Sequence, residues 1–301
     1  MTQNPDSTAR ELNPPIVVAV DGSAVSYQAA AWAAIDAGLH GCRLRIVNSV
    51  AVAGGFGPGP YLTESDEQWL QVEGERVVGE AARVARAAAV GAAIEIQTEV
   101  TVEPIIAYLL RRSQQIRMMV VGSRGLGAIG RGMLGSVSTA VTRHAQCPVA
   151  VIHSATATDP VAVDKPVLVG VDGTANSVPA IELAFQEASL RKVDLIALHA
   201  WSDMTGPYGG VLPGWDAVRD QEELQFAESM AGYGERYPDV QVQRILVMDR
   251  PVRALLEQSE NAQLVVVGSH GRGGFTGMLL GSTSAALLHS VDCPIVVTRK
   301  P

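Results

Sequence analysis

An internal duplication constrains the fold of this chain more than any other feature of its sequence. Residues 16–23 (IVVAVDGS) return as residues 167–174 (VLVGVDGT), about 150 residues further along. Near the end of each copy, residues 147–152 (CPVAVI) return as residues 293–298 (CPIVVT). Each copy therefore opens and closes with a short apolar run of the kind that forms a buried strand.

The length of the chain agrees with two hydrophobic cores rather than one. A chain of 301 residues exceeds the usual size of a single core, so two domains are expected. We predict a flexible N-terminus over residues 1–15 and a first domain over residues 16–153. A linker rich in Ala, Thr, Asp and Pro follows over residues 154–165, and the second domain takes residues 166–301.

Strand-like and helix-like patterns alternate within each copy. Apolar runs without polar residues are typical of parallel strands that are covered on both faces, and the segments between them have helical periodicity. Pro104 and Pro251 stand where helices are expected to begin. We predict an α/β fold with two tandem doubly wound domains, each a five-stranded parallel sheet with helices on both faces. Besides the opening and closing runs, the strand candidates are residues 44–50, 93–100 and 118–121, and residues 194–201, 240–247 and 264–267.

Composition excludes several classes of function. A formal charge of −8 and a pI near 5.3 argue against binding nucleic acid through a general basic surface. The three cysteines are far apart and lack metal-ligand spacing, so neither a zinc site nor a disulfide framework is expected. We find no signal-peptide pattern and no apolar run long enough to span a membrane, and we therefore expect a cytoplasmic protein.

A glycine-rich loop follows the fourth strand candidate in both copies. Gly122, Gly125 and Gly135 with the serine after it form the pattern G-x2-G-x9-G-S, and residues 268–282 repeat it. Glycines at such positions let phosphate oxygens approach backbone N–H groups, and they permit the positive φ that phosphate-binding turns often need. The last glycine precedes a helical pattern, so free N–H groups and hydroxyls gather at a helix N-terminus, which favours an anion.

Charged and mobile elements are expected beside these loops. Asp21 and Asp172 end the first strand of each copy, where ligands of open parallel sheets bind. Cationic side chains within the glycine-rich loops can offset phosphate charge, and these are Arg124, Arg131, His270 and Arg272. The Gly/Pro-rich segments 53–61 and 205–215 are expected to be mobile surface loops that can act as lids.

Together these residues resemble the universal stress protein family, and in particular its tandem, ATP-binding members of actinobacterial type. The resemblance covers nearly the whole chain, from Ile16 to Thr298. It implies an adenine nucleotide α-hydrolase-like fold, with Asp21 and Ser49 near the adenine. The ATP-binding residues that it implies in the first domain are Asp21, Ser49, Val121, Gly122, Gly125, Gly135, Ser136, Val137 and Ser138. Those in the second domain are Asp172, Ala200, Val267, Gly268, Gly271, Gly281, Ser282, Thr283 and Ser284.

The resemblance also implies a function and partners. We expect an ATP-dependent regulator of stress response or growth arrest, with one ATP per domain, Mg2+ as the partner of the triphosphate, and no metal held by protein side chains. We further expect a homodimer, paired through the last strands, and a regulatory protein partner. No P-loop and no lysine among the glycines is present, so at most weak ATP hydrolysis is expected. The alternatives are a slow ATPase or adenylyl-transfer enzyme on the same fold, or a scaffold whose loops are vestigial.

Overall fold

The computed structural model describes residues 13–52, 63–125, 134–153, 162–201, 215–272 and 279–299. The chain divides into two compact units, Met1–Thr158 and Asp159–Pro301. Of the sequence features discussed above, the segment 53–61, Arg131 and most of the segments 1–15, 154–165 and 205–215 lie outside the described residues.

The first unit is a doubly wound α/β domain. Its strands pair in parallel in the order β3-β2-β1-β4-β5, so the direction of strand order reverses between β1 and β4. Ile16 of β1 is in register with Leu44 on one side and with Met118 on the other. The elements are β1 (Ile16–Ala19), α1 (Ala24–Leu39), β2 (Leu44–Ser49), α2 (Glu64–Ala88), β3 (Ile96–Thr101), α3 (Ile105–Arg112), β4 (Met118–Gly122), α4 (Ser136–His144) and β5 (Val149–Ile152).

The second unit repeats this arrangement. Its strands pair in parallel in the order β8-β7-β6-β9-β10, which is the same winding with the reversal between β6 and β9. The elements are β6 (Val167–Gly170), α5 (Val178–Arg191), β7 (Leu195–Ala200), α6 (Trp215–Ser229), α7 (Tyr233–Arg236), β8 (Val242–Val247), α8 (Pro251–Ser259), β9 (Leu264–Gly268), α9 (Ser282–Ser290) and β10 (Ile295–Thr298). The predicted fold class is confirmed in both units.

The central strands form the core of each unit, as their composition predicts. The first four residues of β4 and of β9 are buried, because helices cover both faces of a parallel sheet. The edge strands β3 and β8 are only partly buried and carry more polar residues. Helix α1 faces the sheet with a row of alanines and Trp32, all buried. Each fully buried Val or Ile contributes roughly 1.5–3 kcal/mol through removal from water.

Predicted element boundaries differ from the structure by at most a few residues. The largest difference is in β3, which was expected from residue 93 and begins at Ile96. Gly91 has φ +86° and the amide of Ile94 donates to Ala92 at 3.1 Å, so this segment is a tight turn before the strand starts. Pro104 is the N-cap of α3 and Pro251 opens α8, as predicted. Among the helices the structure describes, none has the length and apolar character that a membrane crossing requires.

Candidate functional site

A cleft lies at the carboxyl end of the sheet in the first unit, beside the reversal between β1 and β4. Its volume is about 780 Å³. Ligands of open parallel sheets bind at this place because the loops after the two central strands diverge there. All the residues predicted for this domain line the cleft: Asp21, Ser49, Val121, Gly122, Gly125, Gly135, Ser136, Val137 and Ser138.

The second unit has a cleft in the corresponding place, with a volume of about 530 Å³. It too collects every residue predicted for its domain: Asp172, Ala200, Val267, Gly268, Gly271, Gly281, Ser282, Thr283 and Ser284. Trp201, which directly follows β7, also lines this cleft and was not predicted as a site residue. The structure therefore brings the predicted residues together, while their binding of ATP stays a prediction.

The strand-ending aspartates are held in the same way in both clefts. An oxygen of Asp21 accepts the amide N–H of Ser23 at 3.0 Å, and an oxygen of Asp172 accepts that of Thr174 at 2.8 Å. The glycine between has φ +89° in the first unit and +75° in the second, which favours glycine there. These turns aim each carboxylate into its cleft.

Gly125 and Gly268 of the G-x2-G turns are needed for close packing rather than for backbone conformation, whereas a Cβ on Gly271 would make only an ordinary contact, 3.5 Å from Asp172. Neither Gly125 nor Gly271 has a positive φ, so this part of the sequence argument was wrong for them. A Cβ on Gly125 would lie 2.2 Å from a carboxylate oxygen of Asp21, which real structures do not tolerate. A Cβ on Gly268 would lie 3.0 Å from the backbone carbonyl oxygen of Asn176, just before α5. The turn therefore packs directly against the Asp turn.

Each cleft is closed on its other side by the N-terminus of a helix. Helix α4 begins after Gly135 and α9 after Gly281, and no side chain among the described residues caps either helix. The N–H of Gly135 donates to the carbonyl of Ser123 at 2.8 Å, which fastens the helix entry to the turn after β4. The following amides point to the cleft with the positive end of the helix dipole, and such an end attracts anions.

A buried serine ties each helix to the strand behind it. The hydroxyl of Ser138 donates to the carbonyl of Gly122 at 2.6 Å, and Ser284 makes the same bond to Gly268 at 2.6 Å. Both serines are almost fully buried, whereas Ser136 is exposed at the start of α4. The hydroxyls of Ser138 and Ser284 therefore hold the cradle together, and a ligand in the cleft would meet the amide and the hydroxyl of Ser136 instead.

Asn48 and His199, each one residue before the end of its strand, hold the turn that follows the first strand of their unit. They were not among the predicted site residues. The side-chain amide of Asn48 donates to the carbonyl of Val20 at 2.8 Å, and His199 Nδ1 lies 2.6 Å from the carbonyl of Val171. Both carbonyls directly precede the strand-ending aspartates. The signal was present, because Asn48 and His199 stand at matching places in the two copies.

The second cleft has an ionic network at its rim. Arg272, in the glycine-rich turn, forms a two-pronged ion pair with Glu222 of α6, at 2.8 Å and 2.5 Å. His199 Nε2 lies 2.9 Å from the same carboxylate. The hydrogen bond from Arg272 holds the pKa of the Glu222 carboxyl below its usual range, against the opposing effect of partial burial. Arg272, which we expected to offset phosphate charge, is therefore paired with the carboxylate of Glu222.

Comparisons with known proteins agree with the fold and the repeat. The family model described as "Universal stress protein family" matches residues 13–153 and 165–299. A universal stress protein of Mycobacterium tuberculosis (strain ATCC 25618 / H37Rv) is 47% identical over 290 residues, covering 95% of this chain and 97% of its own. One of Mycolicibacterium smegmatis is 43% identical over 289 residues, covering 94% and 96%.

A solved structure of similar fold is a universal stress protein from Archaeoglobus fulgidus. Its TM-score is 0.66 at 20% identity, covering 95% of this chain and 96% of that one, which supports the fold alone. The chain belongs to the universal stress protein family and carries two copies of its domain in tandem. The resemblance stated from the sequence is confirmed.

Proposed function

We propose that each unit binds one ATP in its cleft and that the protein is a nucleotide-dependent regulator of stress response or growth arrest. The observation that carries this proposal is a coincidence of three features, repeated in both units. A carboxylate on a strand-ending turn, a glycine turn packed against it and an uncapped helix N-terminus line one cleft. A ligand with a hydrogen-bond donor at one end and phosphates at the other matches these groups.

The phosphate end of the proposed ligand lies at the helix N-terminus. There the backbone amides of Ser136, Val137 and Ser138 supply donors, and the matching residues of α9 do so in the second unit. This local positive potential explains how an acidic protein can hold a polyanion without a basic surface. Gly125 and Gly271 allow the phosphates to approach the turn, because neither carries a side chain.

The adenine end lies on the side of the strand-ending aspartates. A carboxylate accepts hydrogen bonds, so Asp21 or Asp172 can receive an adenine amino group or a ribose hydroxyl. Ser49 and Ala200 close this side of each cleft at the ends of β2 and β7. Of the described residues lining the clefts, these two aspartates are the ones with a carboxylate. We therefore propose that Mg2+ enters with the triphosphate rather than through a protein cage.

We propose binding rather than fast catalysis as the use of both sites. The glycine-rich loops contain no lysine, and Arg272 is paired with Glu222. Phosphoryl transfer therefore lacks its usual charge clamp, and weak hydrolysis is the most that we expect. Phosphate release faster than about one turnover per minute that is lost in a Gly122→Ala and Gly268→Ala protein would favour an ATPase instead.

Three further parts of the proposal concern the protein in its cell. We propose that it works in the cytoplasm, as a homodimer, and that ATP occupancy alters its interaction with a regulatory partner protein. We also retain the domain bounds 16–153 and 166–301, joined by a linker over residues 154–165. Limited proteolysis that cuts inside this linker and leaves two resistant fragments is the expected result, whereas cuts inside either domain first would contradict these bounds.

Nucleotide release followed by titration tests the binding proposal. The purified full chain is denatured, and the supernatant is chromatographed for adenine nucleotides. Protein stripped of nucleotide is then titrated with Mg-ATP and, as a control, with Mg-GTP. We expect binding of ATP at two sites per chain and weaker binding of GTP. An empty extract together with no binding of ATP would refute the proposal and favour a scaffold with vestigial loops.

A further inference from the structure

Arg272 connects three parts of the second unit at the rim of the cleft. Its Nε donates to the carbonyl of Asp172, and its two terminal nitrogens bind the two carboxylate oxygens of Glu222. One of these nitrogens also donates to Gln225 at 2.9 Å, and Gln225 donates to the carbonyl of Gly173 at 2.9 Å. The glycine-rich turn, the Asp turn and α6 are thereby joined through one guanidinium.

Glu222 is itself held from the sheet. His199 is fully buried on β7 and places Nε2 2.9 Å from a carboxylate oxygen of Glu222. The Glu222 side chain is 14% exposed and that of Arg272 is 35% exposed, so the ion pair is shielded on the side of Glu222. A two-pronged, partly shielded pair of this kind is more directional than an exposed surface ion pair.

In the part of the first unit that the structure describes, a glycine stands where a carboxylate like that of Glu222 would have to be. Gly74 of α2 lies next to the side chain of Asn48, and Glu222 of α6 lies next to the side chain of His199. A Cβ on Gly74 would lie 2.8 Å from methyl groups of Val50 and Val100, so this space has no room for a longer side chain. The two clefts therefore have the same cradle, but Gly74 of α2 cannot supply the carboxylate that Glu222 of α6 supplies beside the second cleft.

We propose that Glu222 is a positioning residue for the second nucleotide site, and this inference rests on the function proposed above. Through Arg272 it holds the glycine-rich turn at a fixed distance from the Asp172 turn before the ligand arrives. Both turns contribute to the proposed site, so fixing them in advance removes part of the ordering cost of binding. Arg272 acts through this connection and does not itself move to the phosphates.

The test isolates the second cleft in the full chain. Ser136→Glu places an anion at the start of α4 and weakens ATP binding at the first cleft roughly 30-fold, so the tighter of the two binding phases then reports the second cleft. In this parent we expect Glu222→Gln to raise the Kd for Mg-ATP about tenfold. Glu223→Gln makes the same charge change at an exposed neighbour on α6 and should leave the Kd unchanged.

Two controls separate positioning from folding. The Kd is measured well below the thermal midpoint of each variant, where a role in overall stability alone would leave it unchanged. Arg272→Met should raise the Kd to a similar extent. The double variant of Glu222→Gln and Arg272→Met should bind ATP no more weakly than the weaker-binding single variant, because both substitutions remove the same connection. If Glu222→Gln does not fold, Arg272→Lys serves instead, since lysine keeps the charge but cannot form the two-pronged pair.

The outcomes are distinct. An unchanged Kd in the folded Glu222→Gln protein would overturn the positioning role while leaving the nucleotide site intact. A lower Kd would also overturn it, because it would mean that Glu222 competes with phosphate for Arg272. No ATP binding by the wild-type chain at either cleft would instead refute the proposed function itself, and the positioning role with it.

Discussion

A single negative charge at the start of α4 should remove ATP from the first cleft without weakening the fold. Ser136 is the first residue of α4, is exposed and lines the cleft. In Ser136→Glu the new carboxylate would lie beside the uncapped amides, where an anion is favourable. We expect the helix to gain roughly 0.3–1 kcal/mol from the interaction with its dipole.

The same carboxylate would repel a phosphate at this helix end. Two unit charges about 4 Å apart repel by about 4 kcal/mol at the effective dielectric constant of about 20 near a protein surface. The glutamate can turn partly into solvent, so we expect about half of this value. A loss of about 2 kcal/mol corresponds to a roughly 30-fold higher Kd at the first cleft.

Equilibrium dialysis with labelled ATP measures this change as the number of ATP molecules bound per chain. At an ATP concentration about five times the wild-type Kd, we expect about 1.7 ATP per wild-type chain and about one per Ser136→Glu chain. Ser282→Glu should have the same effect at the second cleft, and the double variant should bind roughly 0.3 ATP per chain. Val90→Glu is the charge-matched control, because Val90 is exposed and precedes β3, at the opposite end of the sheet.

The reasoning would be refuted by a Ser136→Glu protein that is as stable as wild type and still binds two ATP. Such a result would mean that the phosphates do not lie at the helix N-terminus. A fall in the thermal midpoint would point to a different error, since the new charge should stabilise α4 and not disturb it.

Further predictions follow from single contacts. Ser138→Ala removes the 2.6 Å hydrogen bond to the last carbonyl of β4, and we expect a loss of about 1–3 kcal/mol in urea unfolding. An unchanged urea midpoint would contradict a stabilising role for the Ser138 hydroxyl. Gly125→Ala should push the carboxylate of Asp21 aside and weaken ATP binding at the first cleft, measured by calorimetry, while wild-type affinity there would contradict the packing. The lowered pKa of Glu222 means that its ion pair stabilises the fold above the ordinary carboxyl range and loses this effect as the pH falls through the lowered pKa. The difference in thermal midpoint between wild type and Glu222→Gln should therefore be constant from neutral pH to about pH 5 and disappear in stronger acid; a difference that persists there would refute the assignment.

The fold and the lining of the clefts were accessible to sequence reasoning because they depend on local patterns. Buried parallel strands are short apolar runs, and a duplicated chain displays each run twice. The closing runs, residues 147–152 and 293–298, contain the last strands Val149–Ile152 and Ile295–Thr298 for this reason. Strand-ending and helix-starting residues then meet at one end of the sheet through topology alone, which explains why Asp21 and Gly135 line one cleft.

The ionic network of the second cleft was not accessible in the same way. His199, Glu222 and Arg272 belong to three separate elements, and no local pattern connects them. The reason for the glycines in these turns was also misjudged in part. Close approach to Asp21 and a positive φ both require glycine, so the sequence does not distinguish them. Three-dimensional neighbours distinguish these two causes.

A crystal structure of the full chain with Mg-ATP tests the central claim most directly. The account predicts a nucleotide in each cleft, with phosphates at the N-termini of α4 and α9 and the adenine on the side of Asp21 and Asp172. Clefts that stay empty at saturating ATP, or a nucleotide bound elsewhere or in the reverse orientation, would contradict it.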